Sequence, residues 1–301
     1  MVAIDPGATR SDPVRLARRG LALYFGFVIP LSAAFELLLL RKGTSIGAQL
    51  LLVIGLMWAP AVSSVLARLL LREGFGDVSF RLGRRRAWGY SIAWLFPLGV
   101  GLVAYGLAWA TGLADFALPA ARKLEAGHGM PVAFALRLGM QLTLGTAVSC
   151  LSAAGEEIGW RGYMLTRLID ARAPRPVLVG GVVWAAWHAP LIVGGAYAST
   201  GSAPLSVSLF VVDVVAFSYL IARVRLETGS VWPAVLLHGS WNAVIQGLFD
   251  GWTARTSIWV GESGILVAAC DALMVLLLVR GSWTLRRTPA EPAQVRSLAR
   301  L

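Results

Sequence analysis

Eight apolar stretches, most of about twenty residues, take up most of this 301-residue chain, with short arginine-bearing segments between them. They run approximately over 20–40, 47–71, 88–110, 132–162, 177–196, 204–222, 231–249 and 262–280. A helix needs about 20 apolar residues to cross about 30 Å of hydrocarbon. The pattern predicts an all-α fold, a polytopic membrane helix bundle of about eight transmembrane helices. The fourth stretch is too long for one simple span, so it is expected to tilt or to run past the membrane. The expected organisation is an N-terminal segment at 1–19, a transmembrane bundle at 20–280 and a mobile tail at 281–301.

Composition agrees with a lipid environment. The chain is 57% hydrophobic and 14% charged, against roughly 25% charged residues in an average soluble domain. Its mean hydropathy is +0.69, and no polar block is long enough to form a second domain. Arg10, Arg15, Arg18 and Arg19 precede the first stretch, and no small-residue cleavage site follows closely. The first stretch therefore reads as an uncleaved span and not as a signal peptide. Cys150 and Cys270 both sit inside apolar stretches, which gives neither a disulfide framework nor a CxxC metal site.

Arginine placement sets the expected orientation. With eight spans, 20 of the 27 Lys and Arg residues fall on the side that holds both termini. Five, namely Arg41, Lys42, Arg122, Lys123 and Arg255, fall on the other, while Arg68 and Arg137 lie within spans. The positive-inside rule then puts both termini in the cytoplasm; the expected setting is a multi-pass protein of a bacterial plasma membrane. The net charge of +11 favours contact with anionic lipid headgroups. The arginines are scattered over short loops and make no basic face, which argues against nucleic acid as a partner. The densest cluster, Arg81 to Arg86, reads first as a topology signal and second as a docking patch for lipid or substrate.

Against this background, charge inside the spans is costly and calls for a role. Glu156 and Glu157 adjoin the fourth stretch, followed by Arg161; His188 lies in the fifth, and His238 and Asn242 lie in the seventh. Residues four apart share a helix face, so Glu157 can pair with Arg161, and His238 can align with Asn242. Glu156 is turned about 100° from Glu157, free to face the histidines and a water. At about 1.5 Å per residue, Glu156, His188 and His238 can all reach the cytoplasmic half of the bundle.

A glutamate in a partly dry cavity can serve as a general base near neutral pH, and a neutral imidazole can share its water. A histidine with an asparagine amide supplies donors for a developing oxyanion. Such a set suits hydrolysis of an amide bond by an activated water. Ser240 lies off the His238–Asn242 face, and Cys150 lies about 240° around the helix from Glu156. The same Glu and His residues are also common zinc ligands, although no HExxH is present, and spacing leaves a zinc-dependent membrane protease open. Interhelical hydrogen bonding is the plain structural reading of each residue taken alone.

The segment from Glu156 to Gly162 resembles the EExxxR motif of the CAAX-processing and bacteriocin-processing (CPBP, abortive-infection type) membrane endopeptidases. Trp184 and His188 resemble the second motif, which more often begins with Phe, and His238 with Asn242 resembles the third. The resemblance spans about residues 135–250. It implies a glutamic intramembrane endopeptidase with an eight-helix core that needs no cofactor. Carried over by position, Glu156 activates the water, His188 assists it, His238 and Asn242 form the oxyanion hole, and Glu157 and Arg161 support them. The implied partner is a peptide or protein substrate, lipid-modified or membrane-embedded. A non-enzymatic immunity or adaptor protein is the alternative. Of the other ionisable residues, Glu36 and Asp271 are expected at interfaces or between helices, Asp213 beside Arg137 or Arg68, and His128 in solvent.

Overall fold

The computed structural model describes residues 12–42, 49–117, 129–198, 200–254 and 258–278. Arg10, Arg122, Lys123, His128, Arg255 and the tail from Arg280 onward lie outside them, so their expected settings are not described. Among the described residues the fold is helical, apart from one isolated bridge between Phe116 and Thr253.

The helices are α1 (Pro13–Lys42), α2 (Leu50–Leu71), α3 (Arg86–Thr111), α4 (Met130–Met140), α5 (Thr146–Gly159), α6 (Leu165–Asp170), α7 (Pro176–Val193), α8 (Ala203–Thr228), α9 (Trp232–Trp241) and α10 (Ile265–Leu278). Wider π turns, Gln141–Gly145 and Trp160–Met164, join α4, α5 and α6 into one rod of 40 residues, Pro131–Asp170. At about 1.5 Å per residue this rod is about 60 Å long, so the fourth stretch does run past what about 30 Å of hydrocarbon requires. A third π turn, Asn242–Phe249, continues α9.

Among the described residues helical rods lie where the sequence places its apolar stretches. Six of them are long and apolar enough to cross a membrane; α10 is apolar but short. Leu51, Leu69, Leu151 and Leu276 are among many large apolar side chains left on the outside, an arrangement that suits lipid contact and would be unfavourable in water.

Close backbone approach sets the rods around the site. Gly155 and Gly159, one turn apart on α5, lie against the backbone of α2. A Cβ on Gly155 would come 2.6 Å from the Met57 carbonyl oxygen, and one on Gly159 would come 2.5 Å from the Pro60 carbonyl carbon. Small residues at this spacing let helices meet in lipid, where no hydrophobic force drives them together. With that face turned to α2, the α5 carboxylates turn inward, toward α7, α8 and α9.

At the other end, the connection between α2 and α3 is tied down firmly. Arg68 bonds Asp77 at 2.5 Å, Arg167 bonds Glu73 at 2.5 Å, and Arg225 donates to the Asp77 carbonyl at 2.7 Å. Val78 is fully buried against Val231 and Val235 of the α9 segment. Arg68 is thus committed to Asp77, not to Asp213 as the sequence suggests. Asp213 on α8 and Asp271 on α10 are both buried, and neither Asp271 oxygen has a hydrogen-bond partner among the described residues.

Candidate active site

The indole of Trp184, on α7, organises the site. Its Nε1 donates to Glu156 Oε2 at 2.7 Å, and the indole of Trp160 donates to the same oxygen at 3.3 Å. The Arg161 guanidinium lies over the Trp184 ring, 4.0 Å from its centroid. The His238 ring stands 5.3 Å from the Trp184 ring and that of His188 5.8 Å, both edge-on. Glu156, Glu157, Arg161, His188 and His238 are all buried. The structure therefore gathers residues of α5, its following π turn, α7 and α9 around one aromatic plate.

Glu157 is the connecting carboxylate. Its Oε1 accepts from Arg161 Nη1 at 2.9 Å and from His238 Nδ1 at 2.9 Å. The pair with Arg161 is the one the four-residue spacing predicts. The bond to His238 corrects the expectation that Glu156 alone would face the histidines. Glu156 meets indoles and Glu157 meets the imidazole, because the 100° step between them points Glu157 at α9 and Glu156 at α7. Arg161 also donates to Ser218 Oγ of α8 at 3.3 Å. Glu157 Oε2 is buried with no hydrogen-bond partner among the described residues.

The two histidines differ in what their rings offer. His188 Nδ1 lies 2.9 Å from the Trp184 carbonyl oxygen. A carbonyl only accepts, so Nδ1 carries the proton, and in the neutral ring Nε2 is a free acceptor. His238 Nδ1 likewise donates to a carboxylate, so its Nε2 donates only when the ring is imidazolium.

Asn242 is set apart from this cluster. It opens the π turn one helical turn beyond His238, and its Oδ1 accepts from Gln246 Nε2 at 3.3 Å. It also lines a cavity of about 310 Å³ with Arg137, Gln141, Leu144, Val148 and Ser149. Leu144 and Val148 are exposed, so this cavity reaches the apolar outer surface of the bundle. The off-face readings hold for the two nearby nucleophiles. Ser240 donates to the Ala93 carbonyl of α3 at 2.7 Å, and Cys150 packs against Gly239.

Trp160 is a contributor the sequence did not reveal, and Trp184, singled out only as the first residue of the second motif, was given no role, since an indole in a span reads as bulk. Tyr197, Gln246 and Glu262 were also missed. Glu262 sits at the edge of the eighth stretch, where a carboxylate looks interfacial, yet it is buried and bonds Tyr197, Trp241 and Gln246. Among the described residues, no group of three His, Cys, Asp or Glu side chains is arranged to hold a metal ion.

The family model described as type II CAAX prenyl endopeptidase Rce1-like matches residues 138–244. This match supports placing the chain with the CAAX-processing protease family. The match includes Glu156, Glu157, Arg161, Trp184, His188, His238 and Asn242, and stops before Gln246 and Glu262. The Rce1-like match implies a membrane endopeptidase that acts on peptide or protein substrates, and the match together with several long apolar helices suggests a multi-pass integral membrane protein. Comparison with curated proteins gives no match.

Proposed function

We propose that the chain is a glutamic intramembrane endopeptidase in which Glu156 activates the attacking water. The observation that carries this reading is the convergence of Glu156, Arg161, His188 and His238 on the Trp184 indole, with Glu157 joining Arg161 to His238, from three separate rods. Both hydrogen bonds to Glu156 fall on Oε2, which leaves Oε1 to take the water proton. His188 Nε2, an acceptor in the neutral ring, holds the same water. The water oxygen attacks the acyl carbon of the scissile amide as its proton passes to Glu156. The oxyanion is met by Nε2–H of His238, held as imidazolium on Glu157, and by the amide of Asn242. Glu156 then returns the proton to the leaving amine, and the carboxylic acid and amine products part. Arg161 keeps Glu157 oriented.

The side cavity next to Asn242 admits a chain segment from the lipid side, which suits a membrane-embedded or lipid-modified peptide. Both termini are assigned to the cytoplasm from the arginine bias, and the membrane to a bacterial plasma membrane with anionic headgroups.

The test uses the full chain in proteoliposomes and fluorogenic peptides that end in a CAAX-type sequence, with and without a prenyl group. Cleavage by the wild-type protein and its loss in Glu156→Gln, with an unchanged elution profile and helical content, is the expected result. Full cleavage by Glu156→Gln would overturn the assignment of the base. Activity in Glu156→Gln and His238→Ala alike would favour the non-enzymatic reading of the same bundle.

A further inference from the structure

We infer that Glu262 is a positioning residue that fixes, through Gln246 and Tyr197, the direction of the Asn242 amide and the seat of the His188 ring. This rests on the proposed roles of Asn242 and His188. Glu262 lies between α9 and α10, outside every motif and outside the matched stretch. Its carboxylate is buried and takes three donors. Trp241 Nε1 reaches Oε1 at 2.7 Å, Gln246 Nε2 reaches Oε1 at 3.0 Å, and the Tyr197 hydroxyl donates to Oε2.

Hydrogen-bond polarity then propagates in one direction. A carboxylate only accepts, and so does an amide oxygen, so Gln246 must turn its nitrogen toward Glu262. The same nitrogen lies 3.3 Å from the Tyr197 hydroxyl and 3.3 Å from Asn242 Oδ1. One of its two hydrogens serves the Glu262–Tyr197 pair, which is itself hydrogen-bonded, and the other reaches Asn242. With Oδ1 of Asn242 occupied as an acceptor, its NH₂ is the end left to face a substrate oxyanion. Without Glu262, nothing in this chain of contacts prevents Gln246 from flipping, and Asn242 could equally present its oxygen, which repels an oxyanion.

The second arm runs through Tyr197. Its hydroxyl is held by Glu262, and its ring is stacked on His188, with centroids 5.5 Å apart and planes 25° apart. Trp187 and Phe210 close the other sides of the imidazole at 4.7 and 5.0 Å. One carboxylate thus backs both the proposed water-holding ring and the proposed oxyanion donor without touching either.

Asn242 is the single asparagine in the chain, so protein labelled with ¹⁵N-asparagine gives one side-chain amide signal. Wild-type, Glu262→Gln, Gln246→Met and Glu262→Asp proteins would be compared by this signal in detergent and by cleavage of the prenylated CAAX-type peptide. Outright loss of an oxyanion donor removes about 10² to 10³ in rate. A donor present but unpinned removes less, so Glu262→Gln and Gln246→Met should lower kcat about tenfold while KM stays within about twofold. Both should shift the Asn242 amide signal, and Glu262→Asp, which keeps an acceptor-only group, should recover it in part. An unmoved amide signal in both variants overturns the inference, whether or not the peptide is cleaved. A moved signal with unchanged kcat overturns its catalytic consequence. Loss of activity in Glu156→Gln with wild-type kcat in Glu262→Gln separates failure here from failure of the protease reading.

Discussion

Removal of one partner from a buried ion pair is the sharpest test of how the site is held. Arg161→Met keeps the length of the stem and deletes the guanidinium, which bonds Glu157 at 2.9 Å and Ser218 at 3.3 Å and covers Trp184 at 4.0 Å. Glu157 is fully buried, so water cannot replace the lost cation. Breaking a buried pair in this way typically costs about 3–5 kcal/mol. His238 shares the same carboxylate oxygen and offsets part of the loss, which points to the lower end, about 3 kcal/mol. That is roughly a hundredfold change in the folded-to-unfolded ratio. Removing both charges leaves less to compensate, so the double variant Arg161→Met with Glu157→Gln should be more stable than the sum of the single losses predicts. A coupling of about 2 kcal/mol is expected, inside the range for groups in contact. The assay is reversible unfolding of wild type, both single variants and the double variant in mixed micelles, followed by far-UV circular dichroism. An Arg161→Met protein within about 0.5 kcal/mol of wild type, or additive losses across the cycle, would refute the reasoning.

Three further outcomes follow from other parts of the molecule. Gly159→Ala puts a methyl against the Pro60 backbone, which has no flexible end to move; overpacking of this kind costs about 1–3 kcal/mol, and the same unfolding assay should show it, while Gly106→Ala, whose new methyl meets nothing, should show no such loss. Asp250, beyond the seventh stretch, has its carboxyl pushed up to about 7 by burial, which outweighs the hydrogen bond from Tyr105. A raised carboxyl contributes stability that is full below its unfolded value and lost as pH rises through about 7, so thermal stability should fall from pH 4 toward pH 8, and Asp250→Asn should flatten that slope. In the proposed mechanism Glu156 activates the water without a metal, so cleavage should survive prolonged chelation; a loss restored by added zinc would revive the metal-dependent version.

Local sequence carried the fold class and the list of motif residues. Lipid accepts few backbone arrangements, so apolar length alone located the helical rods among the described residues, and the 3.6-residue period alone paired Glu157 with Arg161. The sequence also displayed Gly155 and Gly159 in plain view, but not that α2 was the helix they would meet. What it could not supply was anything that depends on which faces of different rods touch. The bond from His238 to Glu157, the indole of Trp184 between Glu156 and the histidines, and the link from Glu262 to Asn242 all cross between elements distant in the chain. Their distances follow from helix packing, which has no local signature. Glu262 and the role of Trp184 went unread for the same reason, since an indole in a span or a carboxylate at its edge takes its meaning from its partners. Sequence thus determined which residues could do chemistry, because lipid makes charge inside a span costly. The tertiary structure decided which carboxylate meets which partner, because only the packing of α5 against α2 fixes the direction in which each one points.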